Sequence, residues 1–162
     1  MVNDCIFCQI INGKSPAHIL WEDENHMAFL SIFPNTPGFS VVVTKEHLPS
    51  YVVDLDDVRF ADLFLAARKV CKMIDLGVDD VARTGIIAEG YGVDHAHIKL
   101  FPMHQTPTSW ARIKSNNNKV FSKYEGYISS HDGPRASDLE LQLMAKKSRG
   151  FEIWRQSTKG AS

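Results

Sequence analysis

Residues 92–104 read Gly-Val-Asp-His-Ala-His-Ile-Lys-Leu-Phe-Pro-Met-His. With a period of two, Ala96, Ile98 and Leu100 point one way, and His95, His97, Lys99 and Phe101 point the other. An ordinary amphipathic strand carries Thr, Ser, Lys or Glu on its polar face. This one presents two imidazoles and an ammonium on alternate residues, roughly 6–7 Å apart. An imidazole near neutral pH can be a nucleophile or a metal ligand, and an ammonium can hold an anion. The face is built to meet an anion, a metal, or both.

A second chemical cluster is Cys5-x-x-Cys8. A short helical turn over residues 5–12, ended by Gly13, brings both thiols to one side. A redox dithiol of this spacing opens a helix after a strand in a βαβ setting, and no strand precedes it here. A structural zinc site needs two further donors. His47 closes one apolar strand and His95 opens the histidine strand. If those strands are neighbours, Cys5, Cys8, His47 and His95 form a Cys2His2 site.

The elements that must position these residues follow from pattern and punctuation. Residues 17–22 and 26–32 read as a hairpin across Asp23-Glu24-Asn25. Pro34-Asn35-Thr36-Pro37-Gly38 breaks the ladder, and the β-branched run 39–44 reads as a buried strand leading to Lys45-Glu46-His47. One long helix is expected at 56–75, capped by Asp54 or Asp57 and stopped by Gly77. Its apolar stripe is Val58, Ala61, Leu63, Phe64, Ala67, Val70, Cys71 and Ile74. A strand at 84–89 turns through Gly90-Tyr91-Gly92 into the histidine strand as an antiparallel neighbour. Residues 105–135, rich in Ser, Asn, Thr, Gly and Pro, read as a long excursion. Ser137 and Glu140 form a capping-box pattern for a helix to about Ser148, with Leu139, Leu143 and Met144 as its apolar side and a frayed tail from Ser157.

The totals bound the class. The chain has 162 residues, 44% hydrophobic and 23% charged, which suits one globular domain with a sizeable core. A net charge of −1 supplies no field to recruit nucleic acid or acidic lipid. No apolar run reaches membrane-spanning length and no signal segment opens the chain, so a cytoplasmic protein is expected. Three cysteines are too few for a secreted disulfide framework.

Cys-Ile-Phe-Cys-x-Ile, Ala28-Phe29-Leu30 before a Pro-x-x-Pro-Gly turn, a Val-rich strand into Lys-x-His, and a His-x-His strand ending in Pro102 occur in that order. The chain thereby resembles the histidine-triad (HIT) family, in its zinc-containing bacterial-type branch, over residues 5–104. Tyr124-Glu125-Gly126-Tyr127-Ile128 and Gly133-Pro134-Arg135 resemble the C-terminal extension of some bacterial-type members. The resemblance implies an α+β, HIT-like fold: a twisted antiparallel β-sheet with one main helix, plus a C-terminal helical extension. Residues 1–104 would be the HIT domain and 105–162 an extension packed on it, with the protein assembled as a homodimer.

The resemblance also implies a chemistry. The middle histidine, His97 here, attacks the α-phosphate of a nucleotide derivative, and a nucleotidyl-histidine intermediate is hydrolysed or passed on. In zinc-containing relatives the first histidine joins the Cys pair and the Lys-x-His histidine, which supports structural zinc on Cys5, Cys8, His47 and His95. Ile6, Phe7, Leu30 and Ile32 match positions around the base. By residue type alone, the same four are equally good core residues.

Three departures from the family pattern bear on that chemistry. Lys99 stands where the family has its third histidine, and it is either a phosphate-holding point charge or a solvated strand residue. Ser31 stands where many members bind ribose with Asp. Residues 89–94 lack the Gly-Gln and Ser/Thr elements some branches place against phosphate; His104 could supply a donor instead, or be a loop histidine. The leading expectation is a hydrolase or nucleotidyl transferase acting on a nucleoside phosphoramidate or dinucleoside polyphosphate through His97 and Lys99. The alternative is a catalytically weakened nucleotide- or phosphate-binding protein; a third reading leaves only zinc and dimer roles.

Overall fold

The computed structural model describes residues 5–113, 120–125 and 133–159, with side chains described through residue 149. The elements run α1 (Ile6–Ile11), β1 (Ile19–Glu22), β2 (His26–Leu30), β3 (Ser40–Thr44), α2 (Asp57–Gly77), β4 (Val81–Ile87), β5 (His97–His104) and α3 (Asp138–Lys159). The strands form one antiparallel sheet in the order β1-β2-β3-β5-β4. This is the expected α+β architecture. Gly126, Tyr127, Ile128, the Asn116-Asn117-Asn118 run and His131 lie outside the described residues.

β5 is packed on both faces. Ala96, Ile98 and Leu100 enter the main core, where Val42 from β3 and Leu63, Val70 and Ile74 from α2 meet them. Each fully buried Val, Leu or Ile among them contributes roughly 1.5–3 kcal/mol, so this layer is the main apolar anchor of the sheet. The opposite face carries a smaller cluster of Phe7, Met27, Phe29, Val41 and Val43 under α1. β3 and β5 are neighbours, Val43 opposite His97 and Val41 opposite Lys99. That pairing brings the end of β3, and so His47, beside His95.

α2 is capped by Asp56, whose carboxylate accepts from Arg59 N at 3.0 Å, rather than by Asp54 or Asp57. The buried stripe also sits further along than expected. Leu63, Ala66, Ala67, Val70, Cys71, Met73 and Ile74 are buried, whereas Val58 is 69% exposed and Ala61 is exposed. The first turn of α2 lies ahead of the core: Val58 borders an open cleft with Thr44, Leu48 and Arg59 instead of the buried cluster. Cys71 is inert packing: burial, with the nearby Asp75 carboxylate, pushes its thiol up to about 12.

The capping box of α3 forms as expected: Glu140 accepts from Ser137 N at 2.9 Å and Ser137 Oγ accepts from Glu140 N at 3.3 Å. The helix continues to Lys159, and its buried side is Leu141, Ala145 and Ser148, with Leu139 and Leu143 exposed. Close approach sets that face. A Cβ added at Gly77 would sit 2.4 Å from Lys147 O and 2.9 Å from Ser148 Cα, so α3 rests directly on the end of α2 where no side chain intervenes. Gly77→Val should therefore lift α3 off α2 and cost about 1–3 kcal/mol of stability. Urea unfolding and limited proteolysis after residue 136 read this, and an unchanged midpoint and digestion pattern would refute the contact.

Candidate metal centre and adjoining pocket

α1 has only six residues, and an isolated helix needs about 12–15 to persist in water. Tertiary contacts must hold it, and the strongest candidates are at its start. Cys5 Sγ, Cys8 Sγ, His47 Nδ1 and His95 Nδ1 all lie within 4.8 Å of one another. The separations are 3.3 Å for the two nitrogens, 3.3 Å from Cys8 to His47, and 3.5 Å from each sulfur to His95. A tetrahedral zinc with Zn–N of about 2.05 Å and Zn–S of about 2.3 Å separates N from N by about 3.35 Å and S from N by about 3.55 Å. The four donors fit that ion.

The surrounding groups agree. His95 Nε2 donates to Thr44 O at 2.7 Å, which fixes the tautomer that leaves Nδ1 as the donor atom. Burial, then the His47 and His97 rings, push His95 down against the pull of the Thr44 carbonyl, keeping it neutral as a ligand must be. Burial and the neighbouring Cys5 push the Cys8 thiol up, and a dication on the four donors is the counter-charge that reverses this.

From this cluster α1 presents Phe7 to the histidine strand. Its ring lies 5.8 Å from His95 and 5.5 Å from His97, both edge-on, and 5.5 Å from Phe29. His97 is 2% exposed. Burial is the main influence pushing its imidazole below the ordinary histidine value, and the Lys99 ammonium acts the same way; the His95 carbonyl, Glu89 and the Tyr91 main chain oppose. His97 Nδ1 donates to His95 O at 2.7 Å, so in the neutral ring Nε2 keeps the lone pair.

A pocket of about 430 Å³ opens beside His97. Ile6, Phe7, Leu30, Ser31 and Ile32 all line it, together with Lys99. Ile6 and Ile32 are 43% and 38% exposed, so they are pocket lips rather than core. Ser31 Oγ accepts from Phe33 N at 3.1 Å, a local turn bond. Sequence patterns do not single out Tyr91, Val93 and Phe33, which also line the pocket. Nor do they single out Glu89, which pairs with Lys99 Nζ while Tyr91 O accepts from the same ammonium at 3.1 Å. Lys99 is thus no solvated strand residue: its side chain, like that of Glu89, is 12% exposed. The hairpin register could have revealed the pair, since Ile87 faces Lys99 and residue 89 follows on the same side.

His104 stands apart from these residues. It lies seven residues beyond His97 on the same strand, about 23 Å away by strand rise, and does not line the pocket. Nδ1 contacts Asp80 and Nε2 contacts Pro37 O, each at 2.8 Å, tying the end of β5 to two loops.

Cys8→Ser should cut co-purifying zinc and lower the thermal midpoint on the order of 10 °C, read by elemental analysis and calorimetry; full zinc content in the variant would refute the donor set. For His104, burial pulls the ring down, but the Pro37 carbonyl and Asp80 outweigh it and hold its pKa above the ordinary value. A raised folded pKa gives stability that is present below the unfolded value of about 6.5 and lost as pH rises through the folded one. Urea midpoints should therefore fall more for the wild type than for His104→Gln between about pH 6 and pH 8. Equal falls would show that His104 is uncoupled from folding.

Several known proteins are similar to this chain. A HIT-like protein of Borreliella burgdorferi is 45% identical over 110 residues, covering 61% of this chain and 75% of that protein. The adenosine 5′-monophosphoramidase of Schizosaccharomyces pombe is 36% identical over 99 residues, covering 60% of this chain and 73% of the enzyme. A Zn-bound histidine triad family protein from Mycobacterium smegmatis superposes with a TM-score of 0.68 at 20% identity, covering 98% and 99% of the two chains, which shows a shared fold. The HIT domain is matched over residues 12–106, and with a sheet, a histidine strand and a Cys/His cluster in these positions, the chain belongs to the HIT family.

Proposed function

We propose that this protein is a cytoplasmic HIT hydrolase or nucleotidyl transferase that cleaves a nucleoside 5′-phosphoryl compound at the α-phosphate through His97. The observation that carries the reading is the buried His97 ring, with Nδ1 committed to the His95 carbonyl beside an apolar pocket. The similarity to an adenosine 5′-monophosphoramidase supports a phosphoramidate or a related adenylyl compound as substrate.

The chemistry divides into two displacements. The Nε2 lone pair forms a bond to the α-phosphorus, and the bond to the leaving group breaks with its electron pair on the leaving atom, which takes a proton from water. A water then attacks the same phosphorus and gives up a proton to solvent, the P–N bond to His97 breaks with its electron pair returning to Nε2, and the nucleotide leaves with the ring neutral again. Transfer replaces the water by another hydroxyl or amine. As charge builds on the ring in the first step, the His95 carbonyl accepting from Nδ1 stabilises it. Lys99 offers its ammonium to the phosphoryl oxygens. Ile6, Phe7, Leu30 and Ile32 provide apolar walls for the base, and Ser31 the polar edge for ribose.

Zinc on Cys5, Cys8, His47 and His95 would be structural, fixing α1 and hence Phe7 against His97. The four protein donors would fill the four positions that structural zinc takes and leave none for substrate. A homodimer belongs to the same reading: β4 is an outer strand, and Val58, Leu65 and Leu76 are exposed apolar residues on α2.

The test is AMP release from adenosine 5′-phosphoramidate and from diadenosine polyphosphates by the wild type and His97→Ala. The reading predicts turnover by the wild type and a loss of at least about 10³-fold in the variant. Equal background from both, with nucleotide still bound, would overturn it and favour a binding protein.

A further inference from the structure

An ion pair stands at the pocket: Lys99 lines it, and Glu89 lies behind the ammonium without lining the cleft itself. Lys99 is the one Lys or Arg among the described residues that line the pocket, and Glu89 pairs with it. Both side chains are largely buried, and Glu89 Oε2 has no hydrogen-bond partner among the described residues. A buried carboxylate oxygen left unpaired is a cost the fold retains. The surrounding backbone is arranged for the pair. Gly90 and Gly92 have φ of +77° and +103°, and a Cβ at Gly92 would lie 4.0 Å from Lys99 Nζ. The loop 90–92 thus folds over the ammonium and directs Tyr91 O onto it.

The consequence is electrostatic. A free ammonium beside His97 would attract a chain of phosphates, each added phosphate bringing negative charge into a largely apolar cleft. With Glu89 against it, the third position of the histidine strand is a dipole of no net charge. It can still donate N–H to one phosphoryl oxygen, but for a further phosphate the ammonium's attraction is offset by the field of the Glu89 carboxylate behind it.

We propose that Glu89 is the positioning and selectivity residue of this pocket: by pairing with Lys99 it aims the ammonium at the α-phosphoryl group and disfavours any leaving group that carries additional phosphate. The proposal rests on the reading of the pocket as a nucleoside 5′-phosphoryl site. It narrows the substrate within that reading to compounds whose leaving group is neutral or cationic, such as an amine, and away from dinucleoside polyphosphates.

Calorimetric titration with AMP and ADP separates this claim from catalysis, because neither nucleotide need be turned over. The ratio of AMP to ADP affinity is the readout, taken for the wild type, Glu89→Gln, Glu89→Asp and the Glu89→Gln/Lys99→Met double variant. Glu89→Gln should shift the ratio toward ADP by about tenfold or more, and Glu89→Asp should restore most of it. The double variant, again without net charge at the pair, should return the ratio to near the wild-type value. A ratio that stays within about twofold in Glu89→Gln, or that moves equally in Glu89→Asp, would overturn the proposal and leave the His97 reaction untouched. The converse, a shifted ratio in a protein that releases no AMP from adenosine 5′-phosphoramidate, would overturn turnover and support the selectivity claim. Failure of the wild type to bind either nucleotide would overturn both.

Discussion

Side chains of residues 95–100, running into β5, alternate between two packed layers, and that alternation holds the whole site in place. On one side Ala96, Ile98 and Leu100 are locked into the core with α2. A one-residue slip of the strand would exchange that set for His95, His97 and Lys99, placing three polar groups against α2 and three apolar ones in the pocket. The register is therefore held by burial, and the chemical face is fixed as its complement. The pairing with β3 adds the second coordinate, because it brings His47 to His95 and completes the donor set with Cys5 and Cys8.

The donor cluster and the pocket are linked through one short element. α1 is too short to persist by itself, yet it supplies Ile6 and Phe7 to the pocket and Cys8 to the cluster, with Cys5 immediately before it. Whatever fixes the thiols fixes the Phe7 ring 5.5 Å from His97. The cluster thus bears on the chemistry by orienting a wall of the pocket.

Much of this is legible in the chain because its signals are local. Alternation in residues 95–101 marks the two faces, β-branched residues mark β3, and the Ser137–Glu140 spacing marks the start of α3. The Cys5/Cys8/His47/His95 set needs only that two strands be neighbours. What escapes sequence reading is non-local. The buried face of α3 is chosen where Lys147 and Ser148 meet the bare backbone of Gly77, a residue on a different helix, and no periodicity within α3 encodes that contact. The early turn of α2 is periodic, yet Val58 and Ala61 lie outside the core and are exposed despite their spacing. A cross-strand ion pair leaves no mark in either strand's own pattern, which hides Glu89. For His104 the sequence leaves a phosphate donor and a loop histidine open, because residue type does not say which end of a strand faces the pocket.

In the proposed reaction His97 itself becomes bonded to phosphorus. The direct measurement is to mix the protein with adenosine 5′-phosphoramidate, quench within the first turnovers, and map the added mass by peptide mass spectrometry. One adenylyl group is expected on the peptide containing His97, located on that ring and absent from His97→Ala. An adenylyl group on Lys99 instead, or AMP release with no modified peptide at any quench time, would rule out the His97–phosphorus bond.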